Sequence, residues 1–536
     1  MRKFSIFWNE KGREVKSATR RMVLGTGSGV GKSLVVAGIC RAAARMGLRV
    51  MPFKSQNMSN NSAVLPGGGE IARAQALQAR AALVVPEAGM NPVLLKPMDK
   101  GRSQVIFLGR SLGIFSISEY RELKKELFPK VCEIFENLAA RCDLVVLEGA
   151  GSPAEINHLD EDIANIRMAR AVDAQAMLLG DIERGGVFAQ LFGTLELLPP
   201  EDRSIIRWFA INKFRGERAL LDSGMEAITN RTGVPFLGVM DHMGPLALPD
   251  EDSFRTREAG GDTELSCPGI HIVVIEWPHL SNRSDIDPFL NDKDVRVSFL
   301  SLSAAPPEHA HAIVLPGTRQ TMEDLRAFYD SPLYPWFCEQ HKKGTLLFGI
   351  CGGYQMLGHE IRDPEGVESS RSWMPGLALL PFSVRFHEKK IARPVQARIF
   401  RPPFSGPDSL VGMTVSGYEI RQGRQTMHEG ALPCFELYDN EGVSLGGEGL
   451  VNASGTVFGS PVHGLFDSTP FRQAFYTRVT GKRHPDSSMD NAEERIDREL
   501  DRLADAVMEA FPMGEFLGHD RTPFSLPKEG ARSDVF

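Results

Sequence analysis

Lys32 and Ser33 close a glycine-rich run, GTGSGVGKS from Gly25 to Ser33, between the apolar stretch Met22-Val23-Leu24 and a small-residue segment of helical character, Ser33 to Met46. A strand that ends in such a turn and opens a helix is a phosphate cradle. Glycines let backbone N–H groups approach an anion, and the helix N-terminus adds partial positive charge. The lysine reaches the terminal phosphates and the serine hydroxyl can sit on Mg2+. Gly25, Thr26, Gly29, Gly31, Lys32 and Ser33 are therefore read as nucleotide-binding, and the chemistry as starting from a nucleoside triphosphate.

A second chemical grouping is split over the C-terminal half. The strand Thr345 to Ile350 runs into Cys351-Gly352-Gly353-Tyr354-Gln355 and then a helix. A cysteine on a sharp, glycine-flanked strand-to-helix turn is a nucleophile elbow: the turn exposes the sulfur and the helix N-terminus favours the thiolate. The segment Val457 to Val462 ends in His463-Gly464, which supplies a base, and the strand Ala312 to Leu315 ends in Pro316-Gly317-Thr318. Gly317 and Gly352 are the backbone positions expected to form an oxyanion hole and hold a substrate amide. A free cysteine is ordinarily a small buried hydrophobe; here its surroundings argue for a catalytic thiol.

These groups need a scaffold. Leu144-Val145-Val146-Leu147 has the continuous apolar character of a fully buried parallel strand and delivers Glu148-Gly149-Ala150-Gly151 at its C-terminal end, where a carboxylate can meet the cation of the phosphate site. Arg49 to Phe53 reads as a strand followed by an amide-rich, substrate-facing loop, Lys54 to Ser62. Gly67-Gly68-Gly69-Glu70 precedes an Ala- and Gln-rich helix from Ile71 to Leu83, and Glu70 is either its capping carboxylate or a metal ligand. Further strands at Ala176 to Leu179 and Phe209 to Asn212 complete an alternating pattern across residues 20 to 250, which implies a doubly wound parallel sheet. A second α/β unit begins at His271-Ile272-Val273-Val274-Ile275. The expected organisation is a leader over 1–20, a nucleotide-using domain over 21–250, a linker over 251–268, a second domain over 269–475 and an extension over 476–536. In that extension Ile496, Leu500, Leu503, Val507 and Phe511 recur at helical spacing, which predicts an amphipathic helix packed on the body or on a partner chain.

Composition narrows the class. At 536 residues the chain exceeds what one core usually serves, and 42% hydrophobic with 24% charged residues is ordinary for a globular protein. A net charge of −7 without a long basic run gives no reason to expect a nucleic acid or an anionic membrane as partner. No uninterrupted apolar run approaches spanning length, and Phe4 to Trp8 is too short for a signal-peptide core, so the expected location is the cytoplasm. Seven cysteines without a CxxC pair fit neither a disulfide framework nor a zinc site.

Longer motifs carry a resemblance. PFKSQNMSNNS at 52–62, GEIARAQALQA at 69–79, NPVLLKP at 91–97, EGAGSPAEIN at 148–157, DIERGGVFAQLFGTLELLPPEDR at 181–203 and INKFRG at 211–216 resemble the cobyric acid synthase family, as do PHLSNRSDIDP, GICGGYQMLG and VHGLFD further on. The likeness covers about residues 22 to 475. It implies an N-terminal P-loop domain similar to dethiobiotin synthetase, whose loop spacing this one resembles, joined to a class I glutamine amidotransferase-like α/β domain. It further implies amidation of the b, d, e and g carboxylates of adenosylcobyrinic acid a,c-diamide, or of the form lacking the adenosyl group, with ATP, Mg2+ and glutamine consumed and the cobalt carried by the substrate. Cys351 and His463 would then release ammonia from glutamine, Ser33, Glu70 and Glu148 would hold Mg2+, Lys54 would act on the reacting phosphate, and Asn212 would join the nucleotide site.

The sequence also departs from related patterns. Many glutamine amidotransferases carry a Glu two residues after the histidine; this chain has Leu465 there, leaving open what orients His463. Arg421 stands where relatives usually have His and takes no role from the sequence. Two rivals share parts of the pattern. Switch ATPases of the septum-site and plasmid-partition type resemble the first domain but carry a signature Lys where this chain has Gly27, and cobyrinic acid a,c-diamide synthase shares both domains. The wording at 52–62 and 181–203 favours the cobyric acid synthases. Whether copies of the chain associate is left open.

Overall fold

The computed structural model describes residues 18–98, 101–157, 161–244, 246–249, 269–292, 294–404, 410–482 and 491–518. The expected leader up to residue 17 and the expected linker over 251–268 lie outside the described residues. The chain divides into two compact units: one made of Met1–Met58, Ala74–Leu248 and Asp497–Phe536, the other of Ser59–Arg73 and Pro249–Ile496.

The first unit is built on a six-stranded sheet in the order Phe236–Asp241, Ile206–Phe214, Gln175–Asp181, Thr19–Gly25, Leu144–Glu148, Val50–Phe53. Every pairing in it is parallel. The first strand sits inside the sheet with later strands on both sides, the topological switch at which open α/β sheets bind ligands beyond the strand ends. It starts at Thr19, so the last residues of the expected leader belong to the sheet. Met22, Val23 and Leu24 and all of Leu144–Glu148 are buried, because helices cover both faces of a parallel sheet. Lys32–Arg45 is the helix after the glycine turn. The amide-rich segment after Phe53 is partly strand: Gln56–Met58 pairs with Val93–Met98 at the edge of a smaller sheet that continues through Arg102–Phe107 and Arg110–Ser116. The helical period of the tail is realised by Ala492–Ala510, and Leu500, Leu503 and Val507 are buried. Gly38 makes room for it, since a Cβ there would stand 2.6 Å from a methyl of Val507. Arg41 pairs with Asp501 at 2.8 Å, Arg45 with Asp505 at 2.8 Å and Arg80 with Asp497 at 2.9 Å, which fixes the helix on this unit.

The second unit has a mixed sheet. Val295–Ser301, Ile270–Glu276, Ala312–Leu315, Leu346–Ile350 and Val457–Ser460 run parallel, and strands paired mostly antiparallel extend the sheet from Ser444–Val451 onward. Alternate residues feed different cores: Ile272, Val274, Val314 and Phe348 enter one, Val273, Ile275, Ile313 and Leu347 the other. That is the period-two signature of strands covered on both faces. The end of the segment read as Val457 to Val462 is two strands, the second being Val462–His463, which pairs with Tyr418 and Glu419 of Thr414–Met427.

Candidate active sites

In the first unit the glycine loop has the backbone that its composition requires. Gly29 and Gly31 have φ of +74° and +99°, where a side chain is strained. A Cβ on Gly31 would stand 2.3 Å from the Asn212 amide nitrogen, which donates to Val30 O at 2.9 Å. Asn212 thus holds the loop from below. On Gly25 a Cβ would meet Val30 at 2.6 Å, and the Thr26 hydroxyl donates to Gln190 at 3.2 Å. Lys32 folds over the loop, donating to Gly27 O at 2.8 Å and to Gly151 O at 2.9 Å, so its ammonium lies between the loop and the EGAG turn. Lys213, at φ +62°, bridges Asp181 at 2.7 Å and Gly29 O at 3.0 Å. Sequence reasoning did not single out this lysine, although INKFRG and DIERGG carry both partners.

Glu148 is 1% exposed, and its two oxygens collect four polar side chains. Ser33 Oγ donates to Oε1 at 2.7 Å and Lys54 Nζ pairs with the same oxygen at 2.8 Å. Gln75 and Gln78 donate to Oε2 at 3.2 and 2.5 Å. A carboxylate removed from water needs such partners, and a cation beside it is the strongest kind. Ser33, Lys54 and Glu148 are therefore brought together.

Glu70 belongs to the second unit, in the strand Glu70–Ala72, and the helix begins only at Arg73. Antiparallel pairing of Val64 with Glu70 and Ser62 with Ala72 makes a hairpin of what reads as a helix start, so Glu70 stands in a strand and not at the helix N-terminus. Its carboxylate pairs with Lys390 at 2.6 Å and accepts from Ser62 Oγ at 3.0 Å. Ser33 and Glu148, two hard oxygen donors in contact, fit Mg2+, which keeps water and phosphate oxygens among its other ligands.

The glutaminase-type elements meet inside the second unit. Leu346–Ile350 ends at Cys351, which has φ +48° and ψ −106°, and the short helix Gly352–Met356 follows. A non-glycine residue held there stores strain, the feature that exposes a nucleophile at an elbow. Cys351 is 8% exposed, and its thiol donates to Ile420 O at 3.5 Å. Gly353 cannot carry a side chain, because its Cβ would lie 1.9 Å from Leu315 O; on Gly352 it would meet Thr318 N at 2.9 Å. Gly317 lies against the base, with His463 Cε1 at 3.4 Å from where its Cβ would be.

His463 is fully buried and stacks on Tyr418, with ring centroids 5.0 Å apart and planes 14° from parallel. Its Nδ1 shares a hydrogen bond with Asp285 Oδ2 at 2.7 Å, and the other oxygen of Asp285 accepts from Gly464 N at 2.9 Å. Burial alone pulls the imidazole pKa down; the charges of Asp285, Cys351 and Tyr418 outweigh it and hold the imidazolium well above its ordinary range. Asp285 therefore occupies the orienting place that Leu465 leaves empty. The signal was available, since Asp285 lies within PHLSNRSDIDP, but that stretch is 178 residues from His463 in the chain. Next to the thiol, Arg421 is buried and paired with Glu419 at 2.6 Å and Glu448 at 3.0 Å, while Arg393 holds the other side of Glu419 at 2.7 Å. Its charge reaches Cys351.

A phosphate cradle on a parallel sheet in one unit, and a thiol elbow with a His–Asp pair in the other, define a two-site amidotransferase that couples glutamine hydrolysis to nucleotide-driven ligation. Residues 21–247 match the family model described as the CobQ/CobB/MinD/ParA nucleotide binding domain, and residues 271–471 match the CobB/CobQ-like glutamine amidotransferase domain. A cobyric acid synthase of Sorangium cellulosum is 42% identical over 504 residues, covering 91% of this chain and 95% of the relative. One from Desulforudis audaxviator is 42% identical, covering 91% and 96%, and one from Nostoc punctiforme 40%, covering 92% and 99%. The chain belongs to the cobyric acid synthase family, glutamine-dependent ligases of cobalamin biosynthesis. Likeness along nine-tenths of the chain favours neither the switch ATPases nor the a,c-diamide synthases. Among the described residues no helix is long and apolar enough to cross a membrane.

Proposed function

We propose that this chain converts the b, d, e and g carboxylates of adenosylcobyrinic acid a,c-diamide, or its form without the adenosyl group, to amides, forming cobyric acid at the expense of ATP and glutamine in the cytoplasm. A carboxylate is a poor electrophile, so the first unit transfers the γ-phosphoryl group to it. Lys32 leaves the carbonyls of Gly27 and Gly151 for the phosphates, and Lys54 stabilises the charge that develops on the transferring group. Ser33 and Glu148 would hold Mg2+, which when bound supplies neutralisation of the phosphate oxygens. Asn212 and Lys213 act on the nucleotide through the loop they brace.

In the second unit His463 takes the Cys351 proton, and the thiolate attacks the glutamine amide carbon while the N–H groups near Gly317 and Gly352 receive the oxyanion. Protonated His463 gives its proton to the departing ammonia, Asp285 fixes its tautomer, and water then cleaves the glutamyl thioester. Ammonia displaces phosphate from the acyl phosphate. The observation that carries the reading is the strained Cys351 elbow together with the buried His463–Asp285 contact of 2.7 Å, in a chain that also holds Ser33 and Glu148 in contact. Mass spectrometry of the corrinoid after incubation with ATP, Mg2+ and glutamine tests it. Stepwise conversion of four acids to amides is expected; an unchanged corrinoid, or amidation confined to a and c of the fully acidic substrate, would refute it.

A further inference from the structure

Residues 59–73 come from the nucleotide-binding half of the sequence, yet they cluster with the glutaminase unit. The chain leaves the first unit after Met58 and returns at Ala74. Both ends of this arm are anchored near one group: Lys54, five residues before it, and Gln75 and Gln78, just after it, all contact the Glu148 carboxylate.

The arm is built, not slack. Ser62–Val64 pairs antiparallel with Glu70–Ala72, and the turn between them is closed by Leu65 N to Gly69 O at 3.0 Å and Gly68 N to Leu65 O at 2.9 Å. Within the second unit it touches three segments. Arg319 hydrogen-bonds Asn60 Oδ1, and Arg319 lies two residues beyond Gly317, its own N–H bonded to His279 O at 3.1 Å. On the other side Gly69 N donates to Ala392 O at 3.0 Å, Glu70 pairs with Lys390 at 2.6 Å, and Asn440 donates to Pro66 O at 3.1 Å. Ala392 is the strand partner of Ile420, whose carbonyl accepts the Cys351 thiol, and Pro394 is the partner of Tyr418, on which His463 stacks. The arm therefore holds the loop of the oxyanion glycine and the strand behind the nucleophile and base. A mere connection would be met more cheaply by an exposed polar loop. The Glu70–Lys390 pair, with Glu70 3% exposed, costs desolvation and is better explained by fixing a geometry than by adding stability.

We propose that residues 59–73 are a coupling arm that sets the geometry of the glutaminase centre according to what the Glu148 site binds, so that glutamine is hydrolysed fast only when ATP and an acceptor carboxylate are in place. This rests on the reading of Cys351 and His463 as the glutaminase centre. When nucleotide and cation engage Ser33 and Glu148, Lys54, Gln75 and Gln78 must exchange partners, and the backbone running from Lys54 and into Gln75 carries that change to Arg319 and Ala392. The coupling needs two arrangements of the arm with unequal affinity for the ligands, nothing more.

The full-length protein tests this through glutamate release measured with and without ATP, Mg2+ and corrinoid, in parallel with ammonium-dependent amidation. Parent protein is expected to show stimulation of glutamine hydrolysis in the roughly 5–150-fold range of such couplings. Lys390→Met should lose most of that stimulation while its ammonium-dependent amidation stays within about twofold of the parent, and Lys390→Arg should retain the stimulation. Asn440→Ala, a milder lesion at the arm's tip, should shift in the same direction. A Lys390→Met protein stimulated as strongly as the parent would reduce the arm to a tether. A loss of ammonium-dependent amidation in step with stimulation would assign the arm to the synthetase reaction or to folding. Cys351→Ala serves as the control that separates the two readings: if it still hydrolysed glutamine, the glutaminase assignment itself, and the coupling with it, would fall.

Discussion

The two catalytic regions store their readiness in opposite ways. In the nucleotide loop the positive φ values fall on Gly29 and Gly31, and the ionic groups around Glu148 satisfy one another: Lys54, Ser33, Gln75 and Gln78 fill the carboxylate, and Lys32 rests on two carbonyls. Around Cys351 the backbone itself is strained and the polar partners already stand in catalytic order, with the nucleophile at φ +48° and His463 pinned by Asp285. A site that binds a highly charged ligand must have partners to give up. A site that cleaves an amide needs its nucleophile and base fixed beforehand. Substitutions in the first region should therefore act through ligand binding and phosphoryl transfer, and those in the second through the chemistry of one amide bond.

The largest effect is expected at the carboxylate that supports His463. Asp285→Asn should cut glutamine-dependent amidation by on the order of 10⁴, the scale of losing the orienting acid of a catalytic triad, and leave ammonium-dependent amidation intact. Asp285 is the chief opposing charge that overcomes burial to raise the His463 pKa, so its removal should move the alkaline limb of the glutaminase pH profile to lower pH, as the imidazolium gives up its proton sooner. An unshifted limb in a steady-state pH series would mean that Asp285 only packs. In the first region Lys32→Ala should lower amidation with either nitrogen source by roughly 10²–10³ and spare basal glutamine hydrolysis. Near-parental amidation by that variant would contradict the phosphate assignment. Glu148→Gln should slow phosphoryl transfer about a hundredfold and move the Mg2+ titration to higher concentration, because it removes the charge facing the cation. Identical Mg2+ curves would leave Glu148 a purely structural hub. Smallest, Lys213→Met should raise the ATP KM by several-fold, since it only loosens Gly29 from Asp181, and leave the glutamine KM unmoved. A change in kcat alone would place Lys213 on the reacting phosphate.

Much of this was legible because the decisive signals are local. The glycine turn, the strand before it and the continuous apolar run 144–147 needed no tertiary information, nor did the Gly-Ile-Cys-Gly-Gly elbow. What escaped depended on distant pairing. Glu70 read as a helix-start residue because Ala and Gln follow it, whereas the register of Val64 with Glu70 puts it in a strand. Asp285 could not be matched to His463 by spacing, since a turn in one part of the second unit meets a strand end in another. Lys213 and Asp181 lie at the ends of adjacent parallel strands, a neighbourhood set by strand order, not by sequence distance. Arg421 and its carboxylate partners were noticed only as an oddity; their burial next to the thiol is a property of the packed sheet.

The claim at the centre is that ammonia is made in one region and used in the other, with Cys351 taking no part in activating the corrinoid carboxylate. Amidation by Cys351→Ala, followed by mass spectrometry with glutamine and separately with excess ammonium at mildly alkaline pH, tests it most directly. Glutamine-dependent amidation should fall by about 10⁴ or more, the scale of removing a catalytic nucleophile, while ATP-dependent amidation with ammonium stays near the parental rate. Full glutamine-dependent activity in that variant, or loss of both activities together in a folded protein, would contradict the account.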